Sequence, residues 1–547
     1  MLPFHALVPI LAAWVSIPPF TATNAWKVVN YRNNLEITPD FRTEDGRSCV
    51  QIRGRGAKDT AFSLRSPRMR IPSGAKELSV SAEVAATRTL KIGSGTEMSK
   101  IWWWGDHGER ISNEIISVVM PTTRRFGCVT DVFRVPEGAT RFSLWLGFNY
   151  PHLCAGDWVR FREVRVETSA SVGTFTRGIT VPDRPSYRSD VRVSPLVRDD
   201  GVVLVDGQPF FPIGVFGMTT IPFNGNSYDK AFEQLAAAGF NFGHTYAYPA
   251  SAAYLDAAER HGCKVCTTVE TPPHPAILAW YLADDTSDYM QPEQLLAAQA
   301  AIKSKDPVRL TANADSVDAR VLVDYGHTLH SDYVNGSDVF FPEIYPIHGA
   351  VGDPSDATCV KKVIRVMGLV RRDQERFGDG SPRAVWPLLQ SFMSEGSKTW
   401  GHYPSEAQLR AMAFAAVIHG ATGILWYDYG RGNPQNQGIT STPERWQEMS
   451  RLATCLKTLS PVLTSRTPAL QPTSDCSDVT CLLKRHEGDT YLLAVNSSPT
   501  PATATIRKMP VDGTGDVLWE QRDIVATGGC LTDRFDGLGV HIYKWRK

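Results

Sequence analysis

Two adjacent carboxylates, Asp284 and Asp285, end the apolar run Ile277-Leu-Ala-Trp-Tyr-Leu-Ala283. Acidic side chains at the carboxyl end of a buried strand, beside aromatics, suit the cleavage of a glycosidic bond. One carboxyl protonates the leaving oxygen, and a second attacks the sugar or activates water. Successive strand residues face opposite sides, so one of the pair should point inward and the other should orient its neighbours. Asp285 is the better candidate for the acid, and the negative charge of Asp284 beside it would help it keep its proton. The second carboxyl must then come from another strand. Glu343 lies in the apolar run Phe340-Phe-Pro-Glu-Ile-Tyr-Pro346, where a carboxylate needs a partner or a task. Glu270 and Glu395 are reserves for the same role.

These groups need a scaffold that brings strand ends together. From about residue 200 the pattern is strand, loop, helix, repeated. Strands are expected at Gln208–Gly217, Phe240–Tyr248, Lys264–Glu270, Ile277–Asp284, Val308–Ala314, Asp338–Ile347, Ala384–Phe392 and Ala421–Tyr429. Helices are expected at Tyr228–Ala238, closed by Gly239, and at Ala252–His261, Pro292–Ser304, Ser316 to about His330, Ala357–Phe377, Ser405–His419 and Pro443–Leu459. Eight strands in about 260 residues match a (β/α)8 barrel spanning 200–463. One element departs from that pattern. Only Thr271 to Ala276, with three prolines, separates the third and fourth strands, and a parallel crossover normally takes about a dozen residues. The third helix is replaced by a tight link, a segment is lost, or the third strand lies elsewhere.

Reading along the strand ends gives a funnel of carboxylates and aromatics. Candidates for binding sugar are His244, Tyr246, Tyr345, Gln390, Trp426 and Tyr427. Asn313, Asp315 and Asp428 also stand at strand ends, although carboxylates such as Asp288 and Asp315 commonly cap helices. Trp280 and Tyr281 read more as core than as a substrate platform. Metal ligation is not suggested: His244, His274, His348 and His402 are isolated, and Cys263-x-x-Cys266 has no second half-site. No Gly-x-Ser-x-Gly elbow, phosphate loop or His-Glu-x-x-His occurs, and no cofactor is implied.

The flanks are of another kind. Glu77–Val84, Thr140–Gly147 and Trp158–Val166 alternate with period two, so 26–170 reads as a β-sandwich of carbohydrate-binding type. Its Ile101-Trp-Trp-Trp-Gly105 is a candidate sugar platform, though consecutive tryptophans on a strand must point both ways, so at least one belongs to the core. Residues 171–199, rich in Ser, Thr, Arg and Pro, read as a linker. Short strands return over 464–547, at Thr480–Arg485, Thr490–Val495 and Val540–Trp545, giving a small C-terminal β-sandwich. The whole is a multidomain α/β plus all-β chain, a TIM barrel between two β-domains.

Charge is balanced, 57 basic against 57 acidic residues, which argues against nucleic acid as a partner. Residues 1–25 are apolar without an acidic residue and read as a signal peptide, with Leu7–Val15 as its apolar core and Thr23-Asn-Ala25 as the cleavage site. Pro18-Pro19 and the short run argue against a membrane span. An extracellular or periplasmic location follows. Ten cysteines, an even count, fit disulfides in an oxidising compartment. Asn335-Gly-Ser and Asn496-Ser-Ser are glycosylation sequons.

The chain resembles secreted barrel glycoside hydrolases of the β-galactosidase and β-mannosidase superfamily over about 200–460. Asp206-Gly-Gln-Pro-Phe-Phe-Pro-Ile-Gly214 is similar to their first barrel strand, and Leu235-Ala-Ala-Ala-Gly-Phe-Asn241 to their next turn. His274-Pro-Ala-Ile-Leu-Ala-Trp-Tyr-Leu-Ala-Asp-Asp285 is similar to an "HPA…W-Y-L-x-D-E-P" strand. Met412 to Tyr427 is similar to their last helix and strand. The resemblance implies an acid/base carboxyl at Asp285, where the family has Glu, and Thr286 in place of its Pro. The family nucleophile, a Glu ending strand seven, is replaced here by Leu389-Gln-Ser-Phe392. Either Glu395 or Glu343 does that job, or the mechanism inverts, or activity is lost.

A secreted glycosidase acting on an oligo- or polysaccharide by two-carboxylate chemistry is the leading expectation. The alternative is a non-catalytic carbohydrate-binding or adhesion protein on a degenerate barrel. A polysaccharide lyase, which favours Tyr, His and Arg or Lys, fits the carboxylate-rich funnel less well.

Overall fold

The computed structural model describes residues 13–20, 25–30, 39–53, 62–87, 99–116, 124–148, 156–180, 187–218, 227–246, 248–317, 328, 330–430 and 437–547. They fall into two compact units: 1–187 with 287–294 and 318–333, and 188–286 with 295–317 and 334–547.

The first unit is a sandwich of two antiparallel sheets. One runs in the order Gly178–Thr180, Gly127–Arg134, Glu77–Ala86, Trp158–Ser169, Arg47–Arg53, Asp40–Glu44. The other runs Lys27–Asn30, Phe62–Arg65, Arg141–Phe148, Lys100–Trp104, Arg110–Ile115. Alternation explains the layering: Val129, Asp131 and Phe133 are buried while the residues between them are partly exposed. Val50, Ile52, Trp103, Phe142, Leu144 and Phe161 form the filling, and a side chain such as Phe142 contributes about 1.5–3 kcal/mol by leaving water. Of the expected leader, residues 1–12 and 21–24 lie outside the described residues. Ala13–Val15 is a short strand on Trp158–Ser169.

The second unit holds the barrel. Its parallel strands are β1 (Ile213–Val215), β2 (Phe242–His244), β3 (Lys264–Thr268), β4 (Ile277–Ala283), β5 (Leu310–Ser316), β6 (Val339–Ile344), β7 (Ala384–Val385 and Leu388–Gln390) and β8 (Ile424–Tyr427). Each pairs with the next, and β8 pairs with β1, so the sheet closes. Every second residue points inward. Phe242, Phe341, Trp386 and Leu425 fill the interior where Ala279, Ala312 and Ala314 leave space. Phe341 stacks on Trp386 at 5.8 Å, and Phe242 meets Trp386 edge-on at 5.4 Å.

The first expected strand is split. Val203–Val205 and Gln208–Phe210 form a hairpin whose two-residue turn, Asp206-Gly207, takes φ of 50° and 75°, the left-handed geometry of a tight hairpin turn. Only after Pro212 does β1 begin.

Helices α1 (Tyr228–Ala238), α2 (Ala252–Arg260), α3 (Pro292–Lys303), α4 (Pro354–Phe377), α5 (Glu406–Ile418) and α6 (Pro443–Leu463) follow their strands. Ser227, Ser251, Asp353, Ser405 and Thr442 cap α1, α2, α4, α5 and α6, the residue types that satisfy orphan N–H groups. Ser405 and Gln408 form a reciprocal capping box. The helix expected from Ser316 falls mostly outside the described residues: Ser316 ends β5, and His330–Asp332 is a 3-10 turn.

There is no helix between β3 and β4. Residues 269–276 make an irregular link, and β4 pairs directly with β3 after a bulge at Leu278. The link is pinned by Val265 N–H donating to the Ala276 carbonyl at 2.9 Å. Arg309 adds bonds to the carbonyls of His274 at 3.2 Å and Ile277 at 3.0 Å. Prolines 272, 273 and 275 carry no N–H, so a link without a helix leaves fewer donors to satisfy.

The C-terminal sheets, Thr473–Ser474, Ala502–Arg507 and Cys530–Phe535 against Val479–His486, Asp489–Asn496, Gly513–Val517, Arg522–Ala526 and Val540–Trp545, enclose Leu483, Leu492, Ile506, Leu531 and Tyr543. The expected disulfides are not found: the nine cysteines among the described residues are free thiols. Cys263 and Cys266 sit in the barrel wall and core, and burial pushes the Cys263 thiol up to about 12, so neither is a reactive thiolate. Both sequon asparagines are buried and engaged. Asn335 donates to the Phe377 carbonyl at 3.1 Å, and Asn496 to the Thr500 carbonyl at 2.9 Å. The folded chain does not present them for glycosylation.

Candidate active site

The carboxyl ends of the strands open into a pocket of about 280 Å³ lined by Asp284, Asp285, Glu343 and Asp428. Its remaining wall is Phe216, Tyr246, Tyr345, Phe392, Ser394, Trp400 and Tyr427. A larger hollow, about 560 Å³, lies outside the barrel on α1, α5 and α6. It stands away from the strand ends, and its Glu406 is paired with Arg451 at 2.8 Å, so the smaller pocket is the one equipped for chemistry.

Strand alternation delivers most of the pocket. In β6, Val339 and Phe341 point into the barrel. The next two members of that row, Glu343 and Tyr345, therefore rise at its mouth. In β2 the row is Phe242, His244, Tyr246, and in β8 it is Leu425, Tyr427. The aromatic members touch: Tyr345 and Tyr427 at 5.6 Å, Phe392 edge-on to both at 5.2 Å, and Phe392 to Trp400 at 5.5 Å. Flat rings packed this way offer apolar faces beside polar edges, suited to sugar rings.

Alternation fails at the end of β4, and that corrects the expected division between Asp284 and Asp285. The pairing with β5 slips between Tyr281 and Ala283, and Asp285 has a φ of 42°. The bulge and the left-handed turn bring both carboxylates to the pocket. Tyr281, expected in the core, is buried there, and its hydroxyl donates to Asp284 Oδ1 at 2.5 Å. Burial, followed by the nearby charge of Asp284, holds the Tyr281 phenol well above its usual range. Burial and the charge of Glu343 do the same for Tyr345, with smaller contributions from Asp284 and Asp285. Both stay neutral donors. Tyr246, at φ 58°, is a second non-glycine residue in left-handed geometry at the rim, a conformation that concentrates at functional sites.

Other expected residues stand elsewhere. His244 is fully buried beneath the pocket, stacked on Phe216 at 4.0 Å, with Nδ1 accepting from Tyr246 N at 2.9 Å. Desolvation keeps it neutral, and it supports the floor without reaching a ligand. Gln390 is also fully buried: its amide is consumed by the backbone of Ile347, at 2.8 and 3.1 Å, and by the Phe392 carbonyl at 3.4 Å. Trp426 faces outward and meets Phe240 edge-on at 5.9 Å, in the helix layer. Glu270 and Glu395 are exposed and line no part of the pocket, because the chain turns away directly after β3 and beyond Phe392. His274 faces Asp256 at 3.3 Å, and His402 joins Asp356 at 2.9 Å. Asn313 donates to Thr286 at 2.8 Å and is structural.

Phe216, Phe392, Ser394 and Trp400 were not chosen from the sequence, and Asp428, read there as standing at the end of strand eight, lines the pocket with them. Asp428 follows Tyr427 across a cis peptide and is buried. A Cβ at Gly438 would lie 2.3 Å from the Asp428 carbonyl and carboxylate oxygens, so only glycine lets that segment close over it. Trp400 is held by Ser394 N donating to its carbonyl at 2.7 Å and by Gly401 N bonding to Gly349 O at 3.1 Å. Among the described residues no cluster of three or more His, Cys, Asp or Glu is placed to hold a metal ion.

No protein-family model and no curated protein matches the chain. Solved structures overlap it in part. An Anoxybacillus alpha-amylase has a TM-score of 0.41 at 11% identity, covering 62% of this chain and 97% of its own. The Geobacillus thermoleovorans alpha-amylase complexed with acarbose gives 0.40 at 11%, covering 67% and 100%. A GH30 endoxylanase from Clostridium papyrosolvens gives 0.37 at 9%, covering 61% and 100%. At this level of overlap the likeness says nothing about activity.

Proposed function

We propose that the chain is a glycoside hydrolase cleaving O-glycosidic bonds of an oligo- or polysaccharide. The observation that carries this is the convergence of Asp284, Asp285 and Glu343 on one aromatic-walled pocket at the barrel mouth. Asp285 donates its proton to the glycosidic oxygen as the bond breaks. Glu343, from β6, two strands along the sheet, supplies the electron pair, to the anomeric carbon itself or through a water it deprotonates. Asp284, which accepts from the Tyr281 hydroxyl, is the neighbouring carboxylate whose charge disfavours a second negative charge on Asp285. Tyr246, Tyr345, Tyr427 and Trp400 hold the sugar ring. Glu270 and Glu395 have no part, and neither does a strand-seven carboxylate, since β7 ends in the engaged Gln390.

The reading agrees with the resemblance of the β4 segment to barrel glycosidases of the β-galactosidase and β-mannosidase type. It is tested by turnover of a panel of polysaccharides and aryl glycosides by the full chain. Glycan binding without product release across the panel would favour the non-catalytic alternative, which the absent strand-seven Glu also favours. Export is part of the same proposal and rests on the apolar residues 1–25. Amino-terminal sequencing of the mature protein from its native host is expected to begin at Trp26.

A further inference from the structure

The sandwich carries a second surface with a chemistry of its own. In its sheet containing Lys100–Trp104, alternation sends Leu64, Ile101, Trp103, Phe142 and Leu144 to the core. The outer row therefore holds Arg65, Lys100, Trp102, Trp104, Arg141 and Trp145, with Ser63 and Ser143 between them. Lys27 and Arg110 join it directly across from Arg65 and Trp104. The candidate platform Trp102-Trp-Trp104 thus splits: Trp103 is core, and its neighbours face out.

The outward indoles serve as shelves for arginine. The guanidinium of Arg65 lies 3.6 Å from the ring centre of Trp145, that of Arg68 lies 3.7 Å from Trp104, and that of Arg110 lies 4.9 Å from Trp102. Trp102 and Trp145 are 4.6 Å apart and Trp102 and Trp104 6.3 Å, making one strip. The turn before Arg110 is shaped for this. The Gly108 carbonyl accepts from Arg68 Nη1 at 3.2 Å, and a Cβ at Gly108 would stand 2.9 Å from that nitrogen.

The outer row of these strands holds no Asp or Glu among the described residues. Glu114 stands across from Ile101 and accepts from Trp103 Nε1 at 3.1 Å, so it belongs to the inner row. The buried indole N–H of Trp102 also has no acceptor among the described residues, and a bound oxygen would satisfy it.

We propose that this face binds a linear polysaccharide bearing carboxylates, a polyuronate. A guanidinium stacked on an indole keeps its N–H fork in a fixed plane, matched to a carboxylate in bidentate fashion, and the half-buried rings of Trp104 and Trp145 accept the sugar's C–H surface. Net charge over the chain is zero, unlike the broad basic surface of a nucleic-acid binder. The sugar part of the assignment rests on the glycosidase reading. The anionic part rests on this face alone.

The test is affinity electrophoresis of the full chain in gels containing polygalacturonate, a neutral glucan or a single-stranded oligonucleotide. Polygalacturonate is expected to retard the wild type selectively, and R68Q/R110Q to weaken retardation at least tenfold with an unchanged melting temperature. Arg68→Lys keeps the charge and loses the fork, and is expected to weaken binding as well. Equal retardation by the neutral glucan, stronger retardation by the oligonucleotide, wild-type binding by R68Q/R110Q or full binding by Arg68→Lys would each overturn the proposal. If the barrel proves inactive, turnover fails while this measurement still stands or falls by itself.

Discussion

The hydroxyl of Tyr281 donates to Asp284 Oδ1 across 2.5 Å, linking the last inward residue of β4 to the first carboxylate of the pocket. The phenol is buried and held far above its usual range by that burial and then by Asp284, so it cannot give up its proton at any ordinary pH. It stabilises the charged form of the carboxylate it faces.

Tyr281→Phe removes one hydrogen bond to a charged group, worth about 1.5–3 kcal/mol, with no change of ring volume. kcat is expected to fall about 10–100-fold, and the acidic limb of the pH–rate profile to move upward, because Asp284 then protonates more readily. An unchanged profile would assign the contact to packing alone.

Gln390 was expected to touch sugar and instead clamps the chain after β6. Gln390→Ala strands the buried N–H of Ile347 and two carbonyls, at a cost of about 1–3 kcal/mol. The melting temperature is expected to drop, and hydrogen exchange to rise around Ile347. Turnover should fall through the misplaced Tyr345, and a variant as stable and as active as wild type would refute the clamp.

The eight strands were legible because their inward rows are apolar and regularly spaced. Glu343 was legible because it extends the row of Val339 and Phe341. What escaped the sequence is local geometry that breaks a period. The bulge and left-handed turn after Tyr281 put Asp284 beside Asp285, where alternation had parted them. A turn after β3 exposes Glu270. Trp426 and Tyr427 are neighbours of similar character, and only strand phase separates the core residue from the pocket residue. Trp400 reaches the site through a contact to Ser394 that no periodicity announces.

Lys303 and Asp338 form a buried ion pair at 2.6 Å. Asp338 also accepts from Thr311 N at 2.7 Å and Ser194 N at 3.0 Å, joining β5, β6 and the segment entering the barrel. Asp338→Asn leaves the ammonium without its counter-charge, and urea unfolding is expected to show a loss of about 3–5 kcal/mol. A loss below 1 kcal/mol would contradict a pairing role.

Tyr254, Tyr281 and Tyr345 all have phenols raised well above their ordinary value, burial being the first cause in each. A raised folded-state value means that the unfolded chain releases protons the folded chain keeps. Stability is therefore intact below about pH 10 and declines as pH rises beyond it. The urea midpoint is expected to fall between pH 10 and 11, and to fall less in Tyr254→Phe. A flat midpoint over that range would remove the buried tyrosines from the explanation.

The assignment of Asp285 as acid and Glu343 as its partner is tested most directly by leaving-group dependence. Asp285→Asn is expected to lose at least 100-fold on glycosides with poor leaving groups and to be largely spared on activated aryl glycosides, which leave without protonation. Glu343→Gln is expected to lose both. Equal losses on both substrates for Asp285→Asn, or full turnover by Glu343→Gln, would contradict the two-carboxylate account.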